Sequence, residues 1–307
     1  MMQELTNSAV VKPFVKWAGG KTQILNEIRA LYPAELGRYI CKYAEPFVGG
    51  GAVLFDILNN YRLNEVYISD INKELICTYL AIRDDMARLI EILEVFEQQY
   101  LAQCSEGRRE IYYEKRKRFN ELKGRGDNNT ELAGLFIFLN HTCYNGLYRV
   151  NAKGEFNVPH GRYKKPGICA ALNIKAVSDK LKGVTIVCGD YRLANDFIDD
   201  TTFVYFDPPY RPLSATSSFT AYAKGGFGDL AQTQLADFID KTNKRGAYIL
   251  ASNSDPKNTD TNDNFFDNLY AKYTITRIDA DRSINSKGGG RGKVKELLIA
   301  TYKVKTT

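Results

Sequence analysis

The 307-residue chain has no long apolar run. Its longest, Leu132 to Leu139 broken by Gly134, is about eight residues, too short to span a bilayer. The opening MMQELTNSAVVKPFVKW lacks the apolar core of a secretory signal, so a cytoplasmic protein with no membrane partner is expected. No two of the six cysteines (Cys41, Cys77, Cys104, Cys143, Cys169, Cys188) form a C-x-x-C pair. The two histidines, His141 and His160, stand in no ligand spacing with them. Free thiols in a reducing compartment are therefore expected, with no metal site and no disulfide framework. Low-complexity tracts and internal repeats are also missing, which excludes a disordered linker or a repeat solenoid.

What is present is an ordinary globular composition, 44% apolar and 25% charged, in a length suited to one large α/β domain or a core carrying an insertion. The net charge is +6 and unevenly placed. Leu101 to Lys165 carries 13 Lys/Arg against 7 Asp/Glu, and Arg282 to Thr307 carries 7 Lys/Arg against the single acid Glu296. Two basic segments on an acidic body suit a polyanionic partner. Solvated basic helices would give the same count, and charge alone does not separate the two.

Seven β-rich runs punctuate the chain: 43–48, 65–71, 183–190, 202–209, 246–254, 273–278 and 295–304. Several are near-continuous apolar stretches, the pattern of strands buried on both faces of a parallel sheet. The stretch DLAQTQLADFIDKTNKRG (229–246) reads as an amphipathic helix ending at Gly246. This alternation predicts a doubly wound α/β sheet. From about Lys73 to Leu181 the pattern is helical instead, clearest over Leu75–Tyr100 and Ile111–Lys123, which predicts an insertion between two strands.

EPFVGGGAVLFDIL (45–58) reads as strand, glycine turn and helix. Gly49, Gly50 and Gly51 permit a tight turn and close approach of a ligand to the backbone. Asp70, at the end of the next strand, can accept from both hydroxyls of a ribose. The third glycine of G-x-G-x-x-G is missing, since position 54 is Leu. That disfavours a pyrophosphate and suits a nucleoside without phosphates. Gly20-Lys21-Thr22 imitates the end of a phosphate-binding loop, but Val15 stands where that motif needs glycine, and no apolar strand precedes it.

TFVYFDPPYRPLS (202–214) runs from a buried strand into Asp207-Pro208-Pro209-Tyr210. The prolines fix φ and remove donors, so the turn is stiff. It offers a carboxylate, a carbonyl at Pro208 and an aromatic face at Tyr210. Two acceptors can engage the N–H groups of an exocyclic amine while its ring stacks on the tyrosine. Such a site frees the amine nitrogen for attack on a sulfonium methyl, by positioning and without metal. A strand-terminating turn is the plain alternative for this tetrapeptide.

KPFVKWAGGK, EPFVGGGAVLFDI, YISDIN and FVYFDPPY, in this order, resemble the Dam-type adenine-N6 DNA methyltransferases, the α group of class D12 and its GATC-specific members. The likeness extends through CYNGLYRVNAKGEFNVPHGRYKKP (143–166), Gly189-Asp190, LSATSSFTAY (213–222) and RGKVKELL (291–298). It implies a Rossmann-like S-adenosylmethionine-dependent catalytic domain over 1–72 and 182–307, with an inserted helical target-recognition domain over 73–181. Trp17 and Lys21 would lie against S-adenosylmethionine, Phe47, Gly49 and Gly51 at its methionine end, Asp70 on its ribose and Asp190 at its adenine amino group. Asp207, Pro208, Pro209 and Tyr210 would receive a flipped adenine from double-stranded DNA. Tyr144 and Asn145 would insert beside it, an aromatic wedge offsetting the unstacking cost.

The resemblance further implies base reading by Arg149, which can grip guanine bidentately, and by Leu147 and Pro159 against a thymine methyl. Lys16 would contact the first guanine of GATC, and Arg291, in the basic tail with Gly288-Gly289-Gly290, would meet phosphate. Lys115-Arg116-Lys117-Arg118 fits phosphate tracking and a solvated helix face equally. A monomer is expected, with a companion restriction endonuclease compatible. The rival readings are the same chemistry on GATATC, a cytosine-N4 or RNA amine methyltransferase, and a DNA-binding regulator without catalysis.

Overall fold

The fold, taken from a computed structural model, describes residues 10–211, 227–281 and 293–304. These residues fall into two compact units. One holds the chain up to Gly20, Gly49–Asn60 and Asp70–Gly189; the other holds Lys21–Val48, Tyr61–Ser69 and the chain from Asp190 onward.

The second unit is built on a sheet. In chain order the strands are β1 (Lys42–Glu45), β2 (Glu65–Asp70), β3 (Thr185–Cys188), β4 (Thr202–Phe206), β5 (Tyr248–Ser254), β6 (Thr274–Asp281) and β7 (Lys293–Ala300). Each falls on one of the seven runs read from the sequence. Six of these strands belong to this unit, in the order β2-β1-β4-β5-β7-β6, and β3 falls in the first unit. β2, β1, β4 and β5 are mutually parallel, whereas β7 runs antiparallel to both β5 and β6. The register sets Val204 of β4 opposite Ala44 of β1 and Ile249 of β5. All five residues of β4 are buried, as a central strand covered on both faces requires.

The helices are α1 (Leu25–Ala30), α2 (Ala52–Asn60), α3 (Lys73–Asp84), α4 (Met86–Leu101), α5 (Ser105–Arg125), α6 (Thr130–Thr142), α7 (Ala171–Leu181), α8 (Asp229–Asn243) and α9 (Phe265–Leu269). In the second unit, α8 buries Gln232, Leu235, Ala236, Phe238, Ile239 and Thr242, a single stripe at helical spacing. It stops three residues short of Gly246, whose φ of 98° turns the chain toward β5. The chain leaves β1 toward β2 on one side and reaches β4 on the other. That reversal opens a crevice beyond the carboxyl ends of β1 and β4, where open α/β sheets take their ligands. Phe47 follows β1 there, and Asp207 follows β4. This is a mixed, mostly parallel α/β sheet, in keeping with the doubly wound sheet that the sequence pattern predicts and the Rossmann-like one that the resemblance implies.

The first unit is helical. Leu132 through Asn140 of α6 are buried on every side because α3, α4 and α5 all pack on it. Each large apolar side chain in that run contributes about 1.5–3 kcal/mol by leaving water. Gly134 interrupts the run for a steric reason: a Cβ there would come within 2.7 Å of Ile92 on α4. Asn129 caps α6 by accepting from Leu132 N, and Asn72 caps α3 by accepting from Leu75 N. The helical pattern over Leu75–Tyr100 proves to be two helices, divided at Asp85, whose φ of −139° leaves the helical region. Basic α5 buries little more than Tyr112, Phe119 and Leu122. After α6 the chain forms an arm closed by the bridges Cys143↔His160 and Val150↔Phe156. Among the described residues no helix is long and apolar enough to cross a membrane.

Candidate active site

In the second unit, Asp207 leaves β4 directly into the proline turn. Both its carboxylate oxygens meet the Lys21 ammonium, at 2.6 and 2.7 Å. Ser252 of β5 donates to Oδ1 at 2.9 Å, and Tyr205 in turn donates to Ser252 at 3.0 Å. Lys21 is only 3% exposed, so a charge-assisted pair rather than water holds its ammonium. The same ammonium donates to the Tyr210 hydroxyl at 3.0 Å and sits 5.0 Å from the centre of that ring. Burial, then the Asp207 carboxylate, pushes the Tyr210 phenol far above its ordinary value, so it stays neutral. Gly20-Lys21-Thr22 is thus no phosphate loop; its lysine is spent on the proline turn.

The turn is braced from below. Gln232 of α8, buried, donates to the Pro209 carbonyl at 3.1 Å and is itself held by buried Asn253 at 3.2 Å. Arg211 pairs with Asp229 and Asp263 and lies over the Phe265 ring, fixing the chain just beyond Tyr210. Among the described residues no donor reaches the Pro208 carbonyl, which remains an acceptor. Phe47 stacks on Tyr191 at 5.4 Å and meets Phe206 edge-on, giving the β1 side of the crevice an aromatic wall. Asp190, half-exposed, caps the turn Tyr191–Ala194 by accepting from Arg192 N, and pairs with the Arg192 guanidinium at 3.1 Å.

In the first unit, Gly49 and Gly51 adopt φ of 48° and 73°. A Cβ at Gly49 would lie 2.7 Å from the Trp17 indole nitrogen, and one at Gly51 would lie 2.5 Å from the Tyr79 hydroxyl. The turn is therefore glycine partly because Trp17 and Tyr79 press on it. Gly49 N donates to Asp70 Oδ2 at 3.1 Å, and Asn72 N donates to Oδ1 at 2.9 Å. Burial raises the Asp70 pKa, and the backbone donors Asn72, Gly49 and Ile71 pull it partly back. A backbone N–H turned inward onto a carboxylate is not offered to a pyrophosphate. The arrangement suits a nucleoside.

The arm 143–160, in the same unit, gathers the residues assigned to target recognition. Tyr144 is 54% exposed, and Asn145 takes a left-handed φ of 55° that asparagine tolerates. Tyr144 N donates to the Pro159 carbonyl at 2.8 Å, and Asn145 N to the Tyr163 hydroxyl at 3.1 Å. Asn140 clamps the Lys16 backbone through both its N and its O at 2.8 Å, while the Lys16 ammonium rests 4.6 Å above the Tyr163 ring. Leu147 is half-buried; Arg149 and Pro159 are exposed. Arg149 Nε donates to Asn157 Oδ1 at 2.8 Å. Between them Tyr148 points inward, stacking on Trp17 at 6.2 Å and donating to Glu74, which also pairs with Lys123.

So Tyr144, Asn145, Leu147, Arg149 and Pro159 share one arm, with the Lys16 ammonium over its neighbour Tyr163, and Trp17 and Asp70 meet at the Gly49–Gly51 turn. Lys21, Asp207 and Tyr210 form one cluster in the other unit. Arg291, Gly288–Gly290 and the 213–222 stretch lie outside the described residues. Of the basic tetrad on α5, Lys115, Arg116 and Arg118 engage Phe96, Val158 and Glu131, while Lys117 is exposed. Ser252, Gln232, Asn140, Tyr163, Glu74 and Glu296 were missed by sequence reasoning. Only Ser252-Asn253, polar residues inside an otherwise apolar strand, left a trace there.

A family model described as D12 class N6 adenine-specific DNA methyltransferase matches residues 17–284. The chain is 51% identical over 294 residues to the type II methyltransferase M.MjaIII of Methanocaldococcus jannaschii, covering 95% of this chain and 99% of that one. It is 35% identical over 300 residues to the type II methyltransferase M1.LlaDCHI of Lactococcus lactis subsp. cremoris, covering 96% and 97% respectively. It is also 35% identical over 294 residues to the DNA adenine methylase of Escherichia coli (strain K12), covering 95% of each.

Proposed function

Because the chain belongs to the D12 class N6 adenine-specific DNA methyltransferases, we propose that it transfers a methyl group from S-adenosylmethionine to N6 of a flipped adenine in duplex GATC. The observation that carries the chemistry is the Lys21 ammonium held by both oxygens of Asp207 under the Tyr210 hydroxyl. A turn that grips one hydrogen-bearing nitrogen this way can accept from an adenine amine.

S-adenosylmethionine, when bound, supplies an electrophilic sulfonium methyl. The side chains of this protein do the rest by positioning. Asp207 and the Pro208 carbonyl accept from the two amine hydrogens, which orients the nitrogen lone pair, and Tyr210 covers the ring face. Ser252, Gln232 and Asn253 keep the turn from moving. Trp17 and the Gly49–Gly51 turn, in the first unit, suit the donor's methionine end, and Asp70 beside them suits its ribose. Lys16, Arg149, Leu147 and Pro159 read bases, and Tyr144 with Asn145 fills the gap left by the extruded adenine.

Relatives named type II methyltransferase and DNA adenine methylase fit a role beside a restriction endonuclease and a solitary one alike. The test is incubation with unmethylated plasmid and S-adenosylmethionine, followed by base-resolution mapping. N6-methyladenine in GATC is expected. Modification at GATATC alone would overturn the specificity, and no modified adenine would overturn the function.

A further inference from the structure

A buried carboxylate oxygen with no donor is costly and calls for an account. Among the described residues, Oε2 of Glu296 is such an atom. Glu296 stands on β7 opposite Ser254 of β5, and its carboxyl group interacts with Lys21, Tyr210 and Asp207. Two carboxyl groups thus act on the Lys21 ammonium, Asp207 by direct contact and Glu296 through its charge.

That ammonium stands in the way of the proposed chemistry. It occupies both oxygens of Asp207, and Ser252 already takes Oδ1 as well. A base amine that docks at the turn needs one of those oxygens. Lys21, 3% exposed, has no route to hydration by a small shift and requires a second anion within reach. Its long stem allows the ammonium to travel while its root stays fixed. The Tyr210 hydroxyl, 3.0 Å from Lys21 and interacting with Glu296, bridges the two anchor points.

We propose that Lys21 is a switch between two carboxylates: it rests on Asp207 before the base docks and passes to Glu296 when the amine arrives. Glu296 is then a positioning residue, which frees Asp207 as an anionic acceptor without stranding a buried cation. The proposal rests on the reading of Asp207 as the amine acceptor.

Single-turnover methyl transfer at saturating S-adenosylmethionine tests it in wild type, E296Q, K21M and K21M/E296Q. E296Q keeps the shape and loses the anion, so its rate should fall on the order of 100-fold, as for a misplaced reacting group. Cofactor affinity should be unchanged. Removing the competing ammonium should restore part of the loss, making K21M/E296Q faster than E296Q. A double variant no faster than E296Q, or E296Q at the wild-type rate, overturns the switch. A structure of wild type with a GATC duplex gives a reading that needs no variant. Lys21 Nζ bonded to Glu296 supports the switch, and Lys21 still on Asp207 beside the docked base overturns it. Wild type that transfers no methyl to any DNA defeats the functional reading itself; active wild type with an indifferent E296Q defeats only the switch.

Discussion

The indole nitrogen of Trp17 lies 2.7 Å from the point where a Cβ on residue 49 would stand, so the tryptophan and Gly49 are a matched pair. G49A must both displace the indole and hold a left-handed φ. It should cost roughly 2–4 kcal/mol from overpacking and backbone strain together. Affinity for S-adenosylmethionine should fall with it, because Asp70 loses the geometry of its Gly49 donor. Denaturant unfolding and calorimetric titration measure the two effects. Relief of the stability loss on adding W17L would confirm the steric cause, and G49A as stable as wild type would discard it.

D207N separates chemistry from structure. Asparagine keeps the shape of the turn but removes the anion, so methyl transfer should fall about 10²–10³-fold, the usual cost of deleting a preorganised electrostatic group. DNA and cofactor binding should persist. The Lys21 ammonium would lose its contact with the Asp207 carboxylate while keeping Tyr210 and Glu296 nearby, and stability should drop by roughly 1–3 kcal/mol. K21M/D207N should recover that stability while staying inactive. Transfer by D207N at the wild-type rate would return Asp207-Pro208-Pro209-Tyr210 to the status of a strand-ending turn.

The thiols should separate by reactivity. Cys104 is exposed at the start of α5, where the backbone N–H groups of Gly107 and Glu106 lower its pKa. Burial pushes Cys77, Cys143 and Cys169 up to about 11. The thiolate is the nucleophile, so a lowered pKa raises its share near neutral pH and a raised one removes it. Iodoacetamide at about pH 8, close to the ordinary thiol value, should therefore modify Cys104 well before those three. Peptide mass spectrometry reads the order, and equal labelling of Cys104 and Cys77 in the folded protein would refute it.

Strands were the legible part of this fold, because a strand covered on both faces must be apolar at nearly every position, as β4 is. Asp207 was legible for a related reason: a charge and two prolines abruptly ending such a run mark a site. Its partners were not. Lys21 lies 186 positions away and Ser252 lies 45 positions away, and nothing local links them. The break between α3 and α4 escaped notice because Asp85 is neither glycine nor proline. The arm 143–160 has two isolated bridges instead of strands, so it carries no period to read. Its Tyr148 gave no sign that it would turn inward to Trp17.

Arg149 decides between reading a base and merely holding phosphate. Its Nε is tied to Asn157 Oδ1 and its Nη2 reaches the Asn157 carbonyl at 3.5 Å, while Asn157 N returns a bond to the Arg149 carbonyl at 3.1 Å, so one edge of the guanidinium is held and the residue stays exposed. A fixed, exposed fork suits bidentate recognition of guanine. R149A should then lose roughly 1–3 kcal/mol of discrimination at one base pair. R149K should lose nearly as much, because it keeps the charge and not the fork. N157A should show a smaller loss of the same kind, having loosened the fork without removing it. Methylation rates on the cognate site and its single-base variants, measured across salt concentrations, discriminate the cases. An R149A effect that is uniform over all sites, with a salt slope shallower by about one, would make Arg149 a phosphate contact instead.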